Sequence, residues 1–384
     1  MKGHIRKRGK SSWEIIVELG RDLHGKRQQK FHTVRGTKRD AQRELNKILS
    51  EIDNDDYVEP HKLTVAQFLE QWLVHIEPRV RAKTYHRYQE IVRRHLVLAI
   101  GGLLLRNLGS SHIEDMHAHA MKEGRLDGTG GLSKRTVRHH HRVLRDALNW
   151  AVSHRPRLLS NNPTNEMKHP KADDPEIRAL SDAETVALLR TAESTRLYLP
   201  IMLAVTTGLR RSELLALRWQ DVDGTTLRVR RTVEQSRRGV CFNPPKTKKG
   251  KRSIALPSVT VEALRRHRIE QKELRLLLGP DYEDSGLVVC QPNGRLWLPD
   301  NFTAAYRRLV RSTDLGDVNF HCLRHTHATQ LLRQGVNPKI VSERLGHSSV
   351  TITLDIYSHV LPGMQEEAAD KVDAALRAAL DESA

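Results

Sequence analysis

Cysteine is scarce: 384 residues hold three, Cys241, Cys290 and Cys322. An odd, widely spaced set offers no disulfide framework and fits a reducing cytoplasm, which is the expected location. Long apolar runs are missing as well. The longest, Leu96 to Leu105, is broken by Gly101 and Gly102 and falls short of the ~20 residues a bilayer span needs, so no membrane partner is expected. No apolar h-region follows Met1, Lys2, Gly3 and His4, and no secretory signal is expected either. There is no Walker-type loop, acidic metal cluster, internal repeat or low-complexity tract. Chemistry driven by ATP or by a bound divalent cation therefore finds no motif here.

Positive charge is what the chain has in excess. Lys and Arg number 64 against 46 Asp and Glu, a net +18, as expected of a protein that neutralises phosphates, with a generally cationic surface as the alternative that charge alone leaves open. Half of that surplus sits in the first fifty residues, with 14 Lys and Arg against 5 Asp and Glu. The length predicts two or three domains.

The basic first segment has β-type alternation at Trp13, Ile15, Val17 and Leu19, repeated over Gln28 to Val34 after a Gly25 turn, so two or three short strands are predicted. A helix should begin at Thr37, with Asp40 completing a capping box and Ala41, Leu45, Ile48, Leu49 and Ile52 on one stripe. From Leu63 the period is helical. Val65, Phe68, Leu69, Trp72 and Leu73 form one stripe, and Tyr85, Tyr88, Ile91 and Val92 mark another helix. Ser133 suits the N-cap of a helix that turns Val137, Leu144, Leu148 and Val152 inward and leaves Lys134, Arg135, Arg138, Arg142 and Arg145 on a basic outer face suited to DNA phosphates. Pro163, Pro170 and Pro175 with no apolar period predict an interdomain linker over 161–178. Beyond it, Ser181 and Glu184 form a capping box, and strands are expected at Thr226 to Val233, Arg252 to Leu256 and Leu287 to Cys290.

The residues with chemical promise fall in this last segment. In Thr206, Thr207, Gly208, Leu209, Arg210, Arg211, Ser212, Glu213, the glycine can end one helix and set Arg210 at the start of the next, where free backbone N–H groups favour an anion. A guanidinium suits phosphate because its fork makes paired, charge-assisted hydrogen bonds; an Arg and a Glu three apart also form an ordinary surface ion pair. In His321, Cys322, Leu323, Arg324, His325, Thr326, His327, the spacing sets His321 and Arg324 one helical turn apart. The same His and Cys residues hint at zinc, but no second cluster completes four ligands, so no metal is expected. Leu345, Gly346, His347 then precede Asp355, Ile356, Tyr357, Ser358, His359.

With these boxes in this order, the C-terminal half resembles the tyrosine recombinases, the phage-integrase family. By that resemblance Arg210 lies in the Thr-Gly-Leu-Arg motif with Glu213 following it, His321 and Arg324 form the His-x-Leu-Arg-His box, His347 lies in the Leu-Gly-His box, and Tyr357 is the nucleophile. A lysine between two strands corresponds best to Lys246, with Lys248, Lys249 and Lys251 crowding the same turn. The resemblance reaches upstream and implies a multidomain α+β fold. A three-stranded, helix-backed arm-type DNA-binding module would occupy 1–57, a helical core-binding domain 63–160, and a mainly α catalytic domain with a small antiparallel sheet 179–384.

A tyrosine hydroxyl, with an ordinary pKa near 10, is a weak nucleophile at neutral pH and needs cations and a proton acceptor around it. The resemblance implies that Arg210 and Arg324 clamp the non-bridging oxygens, His347 donates a further hydrogen bond, His321 assists proton removal and Lys246 protonates the departing 5′ oxygen. Glu213 would hold basic side chains in place, and His325, His327 and His359 would serve packing or support. The implied activity is site-specific DNA recombination through a 3′-phosphotyrosine, with no cofactor. The implied partners are double-stranded DNA at core and arm sites, a homotetramer on synapsed DNA docked through a helix from Met364 to Leu380, and a host bending factor or an excisionase as accessory. Three rivals are weighed against it: a type IB topoisomerase, a non-catalytic DNA-binding regulator and a zinc-dependent nuclease.

Overall fold

The computed structural model describes residues 3–21, 27–53, 62–154, 157–167, 178–236, 239–245, 247–357 and 364–381. The chain divides into two compact units, Met1–Asp174 and Pro175–Ala384.

The first unit opens with an antiparallel sheet of β1 (Gly3–Gly9), β2 (Ser12–Arg21) and β3 (Arg27–Arg35), in that order. Alternation along β2 turns Ile15 and Val17 onto α1 (Lys38–Asp53), where they meet Leu45 and Ile48 in a small apolar cluster. The capping box forms as its sequence suggests, with Asp40 accepting from the Thr37 backbone and the Thr37 hydroxyl accepting from the Asp40 backbone. Glu14, across β2 from Arg6, accepts from Arg6 at 2.6 Å and Arg8 at 3.2 Å. That contact adds modestly to strand pairing because both arginines are largely exposed.

A helical bundle follows. Thr64 caps α2 (Val65–Ile76) with a complete capping box. Next, α3 (Ala82–Ile91) runs through a π turn at Val92–Leu96 into α4 (Val97–Ile100), and α5 (Ser110–Glu123) leads to α6 (Lys134–Ser153). The hydroxyl of Ser133 accepts the Thr136 N–H and starts α6. Phe68, Trp72, Ile91, Leu105, Leu144 and Leu148 are fully buried at the centre, and Trp72 stacks on Tyr88 with ring centroids 5.5 Å apart. The opposite face of α6 leaves Lys134, Arg135, Arg142 and Arg145 exposed, with Arg138 half-buried.

The stretch expected to begin a linker at 161 is in part bundle structure. Asn162, 4 % exposed, donates to the Arg145 carbonyl and the Asn149 side chain and accepts from Thr164, so the 3-10 turn Pro163–Glu166 is pinned to α6. A buried amide that satisfies three groups outweighs the breaking tendency of the prolines. Residues 168–177 lie outside the described residues.

The second unit contains α7 (Asp182–Ala192), α8 (Tyr198–Thr207), the short α9 (Arg211–Leu214), strands β4 (Val222–Asp223), β5 (Thr226–Val229), β6 (Thr232–Ser236), β7 (Gly239–Asn243) and β8 (Arg252–Ala255), and helices α10 (Ser258–Leu278), α11 (Pro299–Arg311), α12 (Phe320–Arg333), α13 (Pro338–Leu345), α14 (Val350–Tyr357) and α15 (Met364–Asp381). β4, β5 and β8 make one antiparallel sheet, and β6 and β7 a separate hairpin. Apolar nearly all round, α8 is the buried axis, with α7, α10 and α12 packed on it. The strand expected at Leu287 to Cys290 is not a ladder. Its three consecutive buried residues, Leu287, Val288 and Val289, fill the core from all sides, and the backbone makes only single bridges to Arg218 and Leu296. Among the described residues no helix is long and apolar enough to cross a membrane.

Replacing Trp72 with Ala removes the largest buried side chain of the bundle and should cost about 3–5 kcal/mol. Urea unfolding followed by far-UV circular dichroism measures it, and a loss below about 1 kcal/mol would show that the bundle does not depend on this core.

Candidate active site

Two tight turns bring the predicted residues together. α8 ends at Gly208, whose φ of 66° is left-handed. A Cβ there would stand 2.6 Å from Leu345 and 2.9 Å from His327, so only glycine fits on both counts. Two residues later Arg210 is the N-cap of α9. α13 ends in the same way at Gly346, φ 68°, which turns the chain into His347.

Arg324, on α12, joins these two turns. Its Nη1 donates to the Gly208 carbonyl and its Nη2 to the Leu345 carbonyl, each at 2.7 Å, with the residue 2 % exposed. Burial, and then the charge of Arg210, pull its pKa down to about 9, which leaves it charged at neutral pH. Arg210 keeps 37 % of its side chain exposed; it donates to Glu213 at 2.8 Å and reaches the Gly346 carbonyl at 3.5 Å.

Glu213 is the buried counter-charge. Its carboxylate accepts from the Arg210 side chain and backbone and, at 2.9 and 3.1 Å, from both terminal nitrogens of Arg252. Burial works to raise this carboxyl, yet the hydrogen bonds and charge of Arg252, and then those of Arg210, overcome it and hold the group below the usual carboxylate range. The sequence reading missed Arg252. It opens β8, 39 positions from its partner, donates its Nε to the Arg344 carbonyl at 2.7 Å and lies against the Gly346 turn. Only the need of a buried Glu213 for a second cation could have signalled it.

The three histidines of the α12 box divide their work. His321 is exposed, and its ring meets that of His325 edge-on at 4.7 Å. The Nδ1 of His325 lies 2.6 Å from the Tyr357 hydroxyl. His327 is locked in one tautomer, since Nδ1 donates to the Val205 carbonyl at 2.9 Å while Nε2 accepts from Arg344 at 3.1 Å. Assignment of His325 to packing or support therefore gives way to direct contact with the phenol. Cys322 is buried in the core, the histidines serve these contacts, and among the described residues no three such groups are placed to hold a metal ion.

His347, 8 % exposed, bonds through Nδ1 to the Thr353 hydroxyl at 2.9 Å. Burial, with Arg324, Arg210 and Arg252 adding charge, pushes it down to about 4. Tyr357 closes α14 and is 1 % exposed, packed with Ala328, Leu332, Val341 and Leu345. Burial raises its hydroxyl to about 12, and Arg324 opposes that shift. Lys246 and His359 lie outside the described residues, while Lys249 and Lys251 are exposed. The basic residues of α6 belong to the other unit.

Guanidinium groups and imidazoles gathered about Arg324, with the buried Tyr357 hydroxyl beside His325, suit the binding of an anion. Comparison with known proteins gives the class. The model of the phage integrase family matches residues 178–363, and that of the phage integrase N-terminal SAM-like domain matches 64–121. A XerC-like tyrosine recombinase of Caldanaerobacter subterraneus is 28 % identical over 96 % of this chain and 97 % of its own length. The ICEBs1 integrase of Bacillus subtilis is 23 % identical over 96 % and 99 %. Among solved structures, the Tn1549 transposon integrase bound to a circular intermediate DNA superposes with a TM-score of 0.68 at 21 % identity, over 81 % of this chain and 99 % of that one. The lambda integrase dimer bound to a core site gives 0.56 at 19 %, over 93 % and 94 %. The chain belongs to the tyrosine recombinases, the phage integrase family of site-specific DNA recombinases.

His327 and His347 are pushed down to about 3 and about 4 from an ordinary 6.5. Below 6.5 the unfolded chain binds protons that the folded one refuses, so the stability these residues contribute is complete above that pH and is lost as pH falls toward 4. Glu213, with its carboxyl held low, adds a further loss as pH drops below 4.5. Calorimetric melting should show Tm falling steadily from pH 7 to 4, and a flat profile would contradict the burial of these groups.

Proposed function

We propose that this chain cleaves and rejoins double-stranded DNA through a 3′-phosphotyrosine on Tyr357, needing neither metal nor ATP. The observation that carries the reading is the placement of Arg324, tied to both the Gly208 and the Leu345 carbonyls, with Arg210, His347 and Tyr357 grouped around it. Of the five donors on a guanidinium, Arg324 spends two on those carbonyls and keeps the rest. Arg210 and Arg324 hold the two non-bridging oxygens of the scissile phosphate, and His347 donates a further hydrogen bond where charge builds on the phosphorane. Glu213 keeps Arg210 aimed and does not touch the phosphate, since its carboxylate would be repelled. Lys246 protonates the 5′ oxygen as it leaves, and His321 assists the nucleophile. Attack by a partner strand's 5′ hydroxyl reverses the step, so the energy of the ester is conserved.

Residues 63–160 hold the core site, with the exposed side of α6 facing phosphates, and residues 1–57 bind accessory arm sites. Four protomers assemble on two DNA sites. Lambda integrase has been solved as a tetramer on a Holliday junction, and the exposed Val372, Leu376 and Leu380 give α15 an apolar stripe for docking on a neighbour. A host bending factor or an excisionase sets direction.

Covalent capture on genomic DNA flanking the gene should map the target. On a nicked suicide duplex of that site, in EDTA, wild type forms a protein–DNA adduct. Tyr357→Phe loses the adduct while holding DNA within a few-fold of wild type, and an adduct that survives the substitution removes the assignment. Deleting residues 1–57 should weaken retention at accessory sites by at least about tenfold while core-site binding stays measurable; equal binding at every site would refute the arm role.

A further inference from the structure

We propose that Arg252 is a positioning residue for strand cleavage: it holds Arg210, the His347 turn and the lysine-rich turn before β8 in one arrangement, without touching the phosphate. This role rests on the phosphotyrosine reading and falls to a residue outside the motifs quoted above. The Arg252 side chain is 6 % exposed, and four hydrogen bonds fix it. Nε donates to the Arg344 carbonyl at 2.7 Å, Nη1 to Glu213 at 3.1 Å and to the Gly250 carbonyl at 3.2 Å, and Nη2 to the other Glu213 oxygen at 2.9 Å. Three segments of chain therefore meet on one guanidinium: α9 through Glu213, the end of α13 through Arg344, and the 3-10 turn Lys248–Gly250 through Gly250. Only the planar fork reaches all three, since an ammonium carries its donors on a single atom.

Each segment leads to a group of the candidate site. Glu213 accepts from the Arg210 guanidinium at 2.8 Å, and beyond that bond Arg210 has a 3.5 Å contact to the Gly346 carbonyl. Arg344 stands three residues before His347. A Cβ on Gly346 would lie 3.0 Å from both Arg252 Nη1 and the Lys249 carbonyl, so the His347 turn is pressed onto Arg252 and the lysine-rich turn at once. Arg344 returns the tie, with Nη2 donating to the Ala255 carbonyl at the far end of β8 and to the Thr206 carbonyl near the end of α8, each at 3.0 Å. Burial pushes the Glu213 carboxyl up, and the largest opposing contributions are the hydrogen bond and charge of Arg252, ahead of the charge of Arg210. Without Arg252 the balance shifts toward burial, and Glu213 takes up a proton at a higher pH. A protonated Glu213 no longer pairs with the Arg210 guanidinium, which then loses its aim at the phosphate.

The test is single-turnover adduct formation on the nicked duplex at saturating DNA. Arg252→Met, uncharged and similar in length, should slow it by roughly 10²-fold at pH 8, the effect of a misplacement of about 1 Å, with DNA retention within a few-fold of wild type. The ratio of wild-type to variant rate should widen from pH 8 to 6, as Glu213 protonates in the variant and stays ionised in wild type. In a Glu213→Gln background, where that group cannot titrate, the ratio should stay level over the same range. Arg252→Lys keeps the charge without the fork and should fall between wild type and Arg252→Met. Cleavage by Arg252→Met at the wild-type rate overturns the proposal. So does a ratio that stays level with pH while Glu213 is present, which marks a purely structural residue, and so does a loss of DNA retention that matches the loss of rate. If Arg252→Met does not fold, Arg252→Lys decides: the wild-type rate overturns the role, and a slower rate with retention intact upholds it. An adduct surviving Tyr357→Phe would instead overturn the phosphotyrosine reading beneath it.

Discussion

A guanidinium with 2 % exposure needs compensation, and Arg324 finds it in two backbone carbonyls, those of Gly208 and Leu345. The rest of the site follows from that pair of bonds. Each carbonyl lies two residues before a side chain of the candidate site, Arg210 in one turn and His347 in the other. One buried cation therefore sets the spacing of both. The turns can be this tight because Gly208 and Gly346 take left-handed backbone angles against crowded surroundings.

Glu213 solves the complementary problem. Arg210 and Arg252 both act on the charge of Arg324, and a carboxylate with a side chain 1 % exposed, bonded to both Arg210 and Arg252, relieves that repulsion. The same burial that sharpens these interactions keeps His325 and His347 neutral at physiological pH.

Legibility in the sequence tracked distance along the chain. Arg210 with Glu213, and His321 with Arg324, lie within one helical turn of each other, and the caps at Thr37, Ser133 and Ser181 announced themselves by local chemistry. Arg252 did not, because its meaning depends on a partner 39 residues away. His325 was visible but ambiguous: three histidines stand in seven residues, and which of them meets Tyr357 depends on where α14 crosses α12, which no helical period encodes. β7 escaped because Gly239–Asn243 lacks alternation and is exposed along nearly all its length. The segment at Leu287 to Val289 was misread because an apolar run looks alike as a strand and as core filler.

Among the described residues, the cluster of Ile15, Val17, Leu45 and Ile48 under the N-terminal sheet, with Ile5, Val34 and Leu49 packed against it, is a small core. Burial of so few side chains barely offsets the entropy of ordering the chain around them. A unit so balanced has its folded population set as much by mass action as by its own contacts: any polyanion that binds only the folded form raises that population by an amount fixed by its concentration relative to its dissociation constant.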